Sequence, residues 1–114
     1  MPKRIAVVNG DNEERAQLCA ALRMRGFHAD GFSSLVEFER DGRDFAVVIF
    51  DLASVLVTNQ LLKDYSKAMP GLRMIAISGR TLHPELRESM ATCLTACLTK
   101  PVDLNELVYL LNGI

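Results

Sequence analysis

The sequence has little that would tie it to nucleic acid, to a membrane or to an oxidising compartment. Basic residues are not in excess: 13 Lys and Arg stand against 14 Asp and Glu, a net charge of −1. A generic nucleic-acid or anionic-membrane binder needs a basic face, so neither partner is expected. No apolar run approaches the length of a membrane span. The amino-terminal MPKRIAVV leads straight into a strand pattern and not into a signal-peptide core, so a cytoplasmic protein is expected. Cysteine is scarce and odd in number: Cys19, Cys93 and Cys97 argue against a disulfide framework. Cys93 and Cys97 would share a helix face, but no His lies near them to complete a zinc set. They read as small buried hydrophobes. There is no repeat, low-complexity stretch or Pro/Gly-rich linker, so residues 1–114 are expected to form one domain. Apolar residues at 49% and charged residues at 24% exclude intrinsic disorder.

What is present is alternation. Ile5–Val8 is a short, wholly apolar strand run. Asp11 to Arg25 reads as a helix with Leu18, Cys19 and Leu22 on one face; Asp11 and Glu14 have capping-box spacing, and Gly26 closes the segment. Phe27–Phe32 is a weaker strand, and Ser34 to Asp41 a short helix carrying Leu35 and Phe38. Phe45–Phe50 is apolar throughout, as a central parallel strand must be. The second half repeats the rhythm. A helix over 58–69 turns Leu61, Leu62, Tyr65 and Met69 inward and is broken by Pro70-Gly71. Strands follow over 72–77 and 95–99, separated by a helix opened by Pro84. A last helix over 102–112 carries Leu104, Leu107, Val108 and Leu111. The total is (βα)5, an α/β, doubly wound, flavodoxin-like parallel sheet of order 2-1-3-4-5.

In such a sheet, ligands bind beyond the carboxyl ends of the strands. Strand 1 ends in Asn9-Gly10-Asp11, strand 3 in Asp51, strand 4 in Ser78-Gly79 and strand 5 in Lys100-Pro101. A carboxylate, a hydroxyl and an ammonium therefore approach one another from three strands. That set suits a phosphoryl group, with the carboxylate as nucleophile and the other two holding the phosphoryl oxygens.

These residues, in order along nearly the whole chain, resemble the receiver domain of bacterial two-component response regulators. The resemblance rests on IAVV, Arg15, VVIFD ending in Asp51, MIAIS ending in Ser78, and LTKPVDLNEL around Lys100. It implies a phosphorelay signalling domain and no enzyme. Asp51 would be the phosphoacceptor, with Ser78, Gly79, Lys100 and Ala53 around the phosphoryl group. Ser78 would be the switch hydroxyl, and the Lys100-Pro101 bond cis. The implied partners are a histidine kinase or phosphotransfer protein and a protein target or output domain. Arg73, Arg80 and Arg87 mark a face that receivers use for targets or homodimers, and Tyr109 lies on the outer face of the last helix. His28 and His83 read as surface residues without a role.

The departures from that pattern are specific. The two adjacent acidic residues that hold Mg²⁺ in receivers correspond to Asn9 and Gly10, neither charged. Asp51 and the Ala53 carbonyl alone make a thin site for a hard cation. Mg²⁺ is therefore expected to bind weakly or not at all, and Mg²⁺-dependent phosphorylation to be impaired. Asp11 is the one replacement ligand within reach, its competing role being the helix cap. The loop after Asp51, Leu52–Val57, lacks the usual Pro and Gly and is apolar. The aromatic switch position of strand 5 is Cys97.

Two readings stand: an atypical receiver phosphorylated at Asp51, and a degenerate receiver working as a phosphorylation-independent interaction module. A haloacid-dehalogenase-type phosphatase fits less well, because the second Asp of its strand-end motif is Ala53 here. A flavodoxin-like nucleotide binder lacks its Gly-rich phosphate loop after strand 1.

Overall fold

The computed structural model describes residues 3–80 and 83–114. Five strands, β1 (Arg4–Val8), β2 (His28–Phe32), β3 (Val47–Asp51), β4 (Arg73–Ser78) and β5 (Leu94–Thr99), alternate with helices α1 (Asn12–Met24), α2 (Leu35–Asp41), α3 (Asn59–Ala68), α4 (Arg87–Thr92) and α5 (Leu104–Asn112). All neighbouring strands are parallel, in the order β2-β1-β3-β4-β5. This is the topology expected from the alternation of strand and helix.

The period-two alternation of each strand divides the core in two. Ala6, Val8, Val48, Phe50 and Met74 face α2, α3 and α4, where they meet Phe38, Leu62, Tyr65 and Met90. Ile5, Val7, Val47, Ile49, Ile75 and Ile77 face α1 and α5, where they meet Cys19, Leu22, Leu107 and Leu111. β3 is buried at every position because both faces are covered. Phe50 packs 6.2 Å from Tyr65, ring centre to ring centre, and the Tyr65 hydroxyl donates to Glu39 at 2.7 Å.

Helix starts are set by side chains. Asp11, Ser34, Thr58 and Asp103 each accept the N–H of the residue three further on, at 3.0, 3.3, 3.1 and 3.3 Å. Each such cap contributes about 1 kcal/mol. Gly26 and Gly42 end α1 and α2 with φ of +91° and +73°, a backbone region that side chains disfavour.

Several details differ from the sequence expectation; β3, for one, runs over Val47–Asp51 and not Phe45–Phe50. The Pro84 segment opens as a 3₁₀ turn, Pro84–Leu86, before α4 begins. α5 starts two residues later than its apolar pattern, because Asp103 caps it after the cis Lys100-Pro101 bond. On α5, Leu110 joins Leu104 against the core while Val108 sits half-buried on the flank. His83 is buried rather than superficial: Nε2 lies 3.1 Å from the Arg80 carbonyl and so carries the proton, leaving Nδ1 to accept from the Arg80 guanidinium at 3.2 Å.

Phe50 tests the core. Phe50→Ala is expected to cost about 3–5 kcal/mol, read as a lower urea midpoint at an unchanged slope. A loss under about 1 kcal/mol would contradict the packing described here.

Candidate functional site

The carboxyl ends of β1, β3, β4 and β5 bring the polar residues together. Asp51 closes the most buried strand and is only 3% exposed. Its position is fixed on both sides of the strand end. The Leu52 N–H donates to the Ile77 carbonyl at 2.9 Å, and the Lys100 N–H to the Ser78 carbonyl at 2.7 Å. The ladder thus carries Lys100 to the same level as Asp51, and its Nζ lies 2.7 Å from Asp51 Oδ1. Oδ1 receives no aligned hydrogen bond, so this ion pair alone compensates for its burial.

The same ammonium serves a second carboxylate, donating to Glu14 Oε1 at 3.0 Å. Glu14 therefore does not complete the capping box that its spacing suggests. The Asp11 N–H that a box would satisfy is taken by Asn9 Oδ1 at 2.8 Å. Burial works against the Lys100 ammonium, but its contacts with Asp51 and Glu14 outweigh that and raise its pKa above the ordinary lysine value.

The hydroxyl that touches Asp51 is that of Ser54, which sequence reasoning passed over. Ser54 Oγ accepts the Gly10 N–H at 2.9 Å and lies 2.7 Å from Asp51 Oδ2 and 3.2 Å from Asn9 Oδ1. A serine has one proton to give. It goes to the nearer, charged acceptor on Asp51, since Asn9 Oδ1 already holds the Asp11 N–H. The only sequence signal for this residue was the missing Pro and Gly of the loop, which leaves Ser54 three residues after Asp51 in a tight turn.

The other expected site residues are placed as follows. Ser78 is buried at the end of β4, and its Oγ accepts the Arg80 N–H at 3.0 Å. Gly79 follows it, exposed. Ala53 is exposed in the turn after Asp51. Cys97 pairs with Ala76 on the edge strand, half-buried, and burial pushes its thiol pKa up. Asn9 is buried; its carbonyl accepts from the Arg15 guanidinium at 2.7 Å, and the Arg15 stem crosses Gly31, where a Cβ would lie 3.0 Å from it. Arg73 opens β4, and Arg80 lies two residues past its other end, paired with Glu85. Tyr109 is exposed.

The donor set does not fit a divalent cation. Gly10 has no side chain and Asn9 Oδ1 is engaged. The Asp11 carboxylate is turned to the Glu14 N–H at 3.0 Å. Both oxygens of Asp51 already face donors, and no cluster of three His, Cys, Asp or Glu suited to a metal occurs among the described residues. Mg²⁺ asks for near-octahedral oxygen ligation, which these residues do not supply. A cleft of about 580 Å³ opens beside Lys100, lined by Asn9, Glu14, Leu18, Pro101 and Val102. One of about 590 Å³ lies at the other end of the sheet, between Phe45 and Met69. The first is at the strand ends where this architecture binds ligands.

Comparison with solved structures agrees with this fold. The CheY-like response regulator receiver domain protein from Methanospirillum hungatei superposes with a TM-score of 0.85 at 21% identity, over 99% of this chain and 93% of that one. This chain has the receiver-domain fold. The chemotaxis response regulator CheY4 of Vibrio cholerae gives a TM-score of 0.81 at 17% identity, over 99% of this chain and 98% of that one. The response regulator TrrA from Thermotoga maritima, solved in complex with Mg²⁺-BeF, gives 0.79 at 16%, over 97% of each. No protein-family model and no curated protein matches the sequence. No helix among the described residues is long and apolar enough to cross a membrane.

The shared ammonium makes a prediction. Lys100→Met leaves two carboxylates, one of them buried, without a cation, and is expected to cost about 1–3 kcal/mol at neutral pH. Because the folded pKa of Lys100 is raised, its contribution is complete below the unfolded lysine value of about 10.4 and is lost as pH rises through the folded value. The melting-temperature difference between wild type and variant should therefore be steady near pH 7 and shrink above about pH 10.5. No difference at pH 7 would contradict the pairing.

Proposed function

We propose that this chain is a receiver-type signalling module that works by protein contact, without Mg²⁺-dependent phosphorylation of Asp51. One observation carries the reading. Asp51 is held by the Lys100 ammonium and the Ser54 hydroxyl, while Asn9 and Gly10 stand where a cation would need carboxylates. Phosphoryl transfer to a carboxylate develops charge that a metal ordinarily neutralises, and this pocket offers a single ammonium already shared with Glu14. The Cys97 position supports the same reading, since a small thiol there has no ring to reorient. We assign the site no catalytic turnover. Ala53 leaves it without the second carboxylate of a phosphatase. The partner is a protein, in a cytoplasmic setting, with no direct role for nucleic acid or membrane.

A second reading keeps Asp51 as phosphoacceptor for a histidine kinase or phosphotransfer protein, with Lys100, Ser78 and Gly79 around the phosphoryl group. The convergence of Asp51, Ser78 and Lys100 at the carboxyl ends of β3, β4 and β5 favours it. An amide NMR titration separates the two. Wild type receives Mg²⁺ and then beryllofluoride, with Asp51→Asn as control. The first reading expects no saturable shifts at millimolar Mg²⁺. Saturable shifts at Asp51, Ser78 and Lys100 that vanish in the variant would overturn it in favour of the second.

A further inference from the structure

Ser54 belongs to an exposed turn, yet its hydroxyl ties that turn to the end of β3 and to the β1–α1 loop. It accepts from Gly10 in the β1–α1 loop, donates to Asp51 at the end of β3 and lies against Asn9. The approach demands particular residues on both sides. A Cβ at position 10 would stand 3.1 Å from Ser54 Cβ, so a glycine there lets the two loops close on each other. Asn9 is in turn held by Arg15 through its carbonyl and by the Asp11 N–H through its side chain. The two loops are thereby fixed to each other and to Asp51, and the carboxylate is left almost wholly covered.

We infer that Ser54 is a positioning residue that latches the β3–α3 loop to the β1–α1 loop and closes off Asp51 Oδ2. While the latch is shut, Oδ1 faces Lys100 and Oδ2 accepts the serine hydrogen bond. A cation or an electrophile reaches Oδ2 only when the Ser54 hydroxyl swings away. Gly10 is therefore more than a lost charge: it is the space into which the latch closes. An acidic residue at position 10 would itself force the latch open, whereas an aspartate at position 9 alone would meet a site still occupied by Ser54. This inference deepens the proposed function, resting on the same pocket, but is decided by different measurements.

The first is amide hydrogen exchange followed by NMR on the full chain. Ser54→Ala is expected to speed Gly10 N–H exchange roughly five- to tenfold, the effect of losing one hydrogen bond, with α5 amides unchanged. Ser54→Thr, which keeps the hydroxyl, is expected to restore protection. The second is titration with Mg²⁺ alone. Asn9→Asp, which leaves Gly10 in place, is expected to need at least about tenfold more Mg²⁺ for saturation than Asn9→Asp combined with Ser54→Gly, one hydrogen bond to a charged group being worth about that factor. Unchanged Gly10 exchange in Ser54→Ala, or equal Mg²⁺ affinity of Asn9→Asp with and without Ser54→Gly, would overturn the latch. The exchange arm decides alone if the acidic variants do not fold. A wild type that responds to Mg²⁺ and beryllofluoride would sink the proposed function while leaving the latch to the exchange result.

Discussion

A carboxylate at the end of the central strand of a doubly covered parallel sheet must be compensated where it stands. Water cannot reach it freely, and an unpaired buried charge costs several kcal/mol. Asp51 is in that position because β3 is apolar on both faces and ends there. The pocket around it answers this requirement. Lys100 is carried to Asp51 Oδ1 by the β4–β5 ladder, and Ser54 is folded back onto Oδ2 by the turn that follows β3.

The neighbouring loops follow from how that compensation is made. With one ammonium and one hydroxyl on Asp51, acidic residues at positions 9 and 10 would add repulsion to a site that already holds Glu14 on the same lysine. A neutral Asn9 instead turns its side-chain Oδ1 to the start of α1, replacing the glutamate of a capping box. Gly10 gives Ser54 room. Asp11 is then free to cap α1 and not to reach inward. Each of these residues looks like a loss against the receiver pattern. Together they form a connected set of hydrogen bonds around one carboxylate.

Most of the fold could be read from local patterns because the physical causes are local. Continuous apolar runs marked the buried strands, and Asp11, Ser34 and Gly26 marked helix ends by chemistry that acts within a few residues. Asp51 and Lys100 were legible for the same reason, each lying at the end of a recognisable strand. Ser54, Glu14 and the burial of His83 were not. Their roles come from contacts far apart in sequence, such as Gly10 with Ser54 and Glu14 with Lys100. Capping-box spacing even pointed Glu14 to the wrong partner. Arg73 and Arg80 are near in sequence, yet β4, six residues at about 3.3 Å each, separates them.

The central claim is that protein groups, not a cation, hold Asp51. A crystal structure grown in millimolar Mg²⁺ tests it most directly. The account expects Ser54 Oγ within hydrogen-bonding distance of Asp51 Oδ2, Lys100 Nζ against Oδ1, and no octahedrally coordinated ion. An ion ligated by Asp51, with Ser54 turned outward, would contradict it.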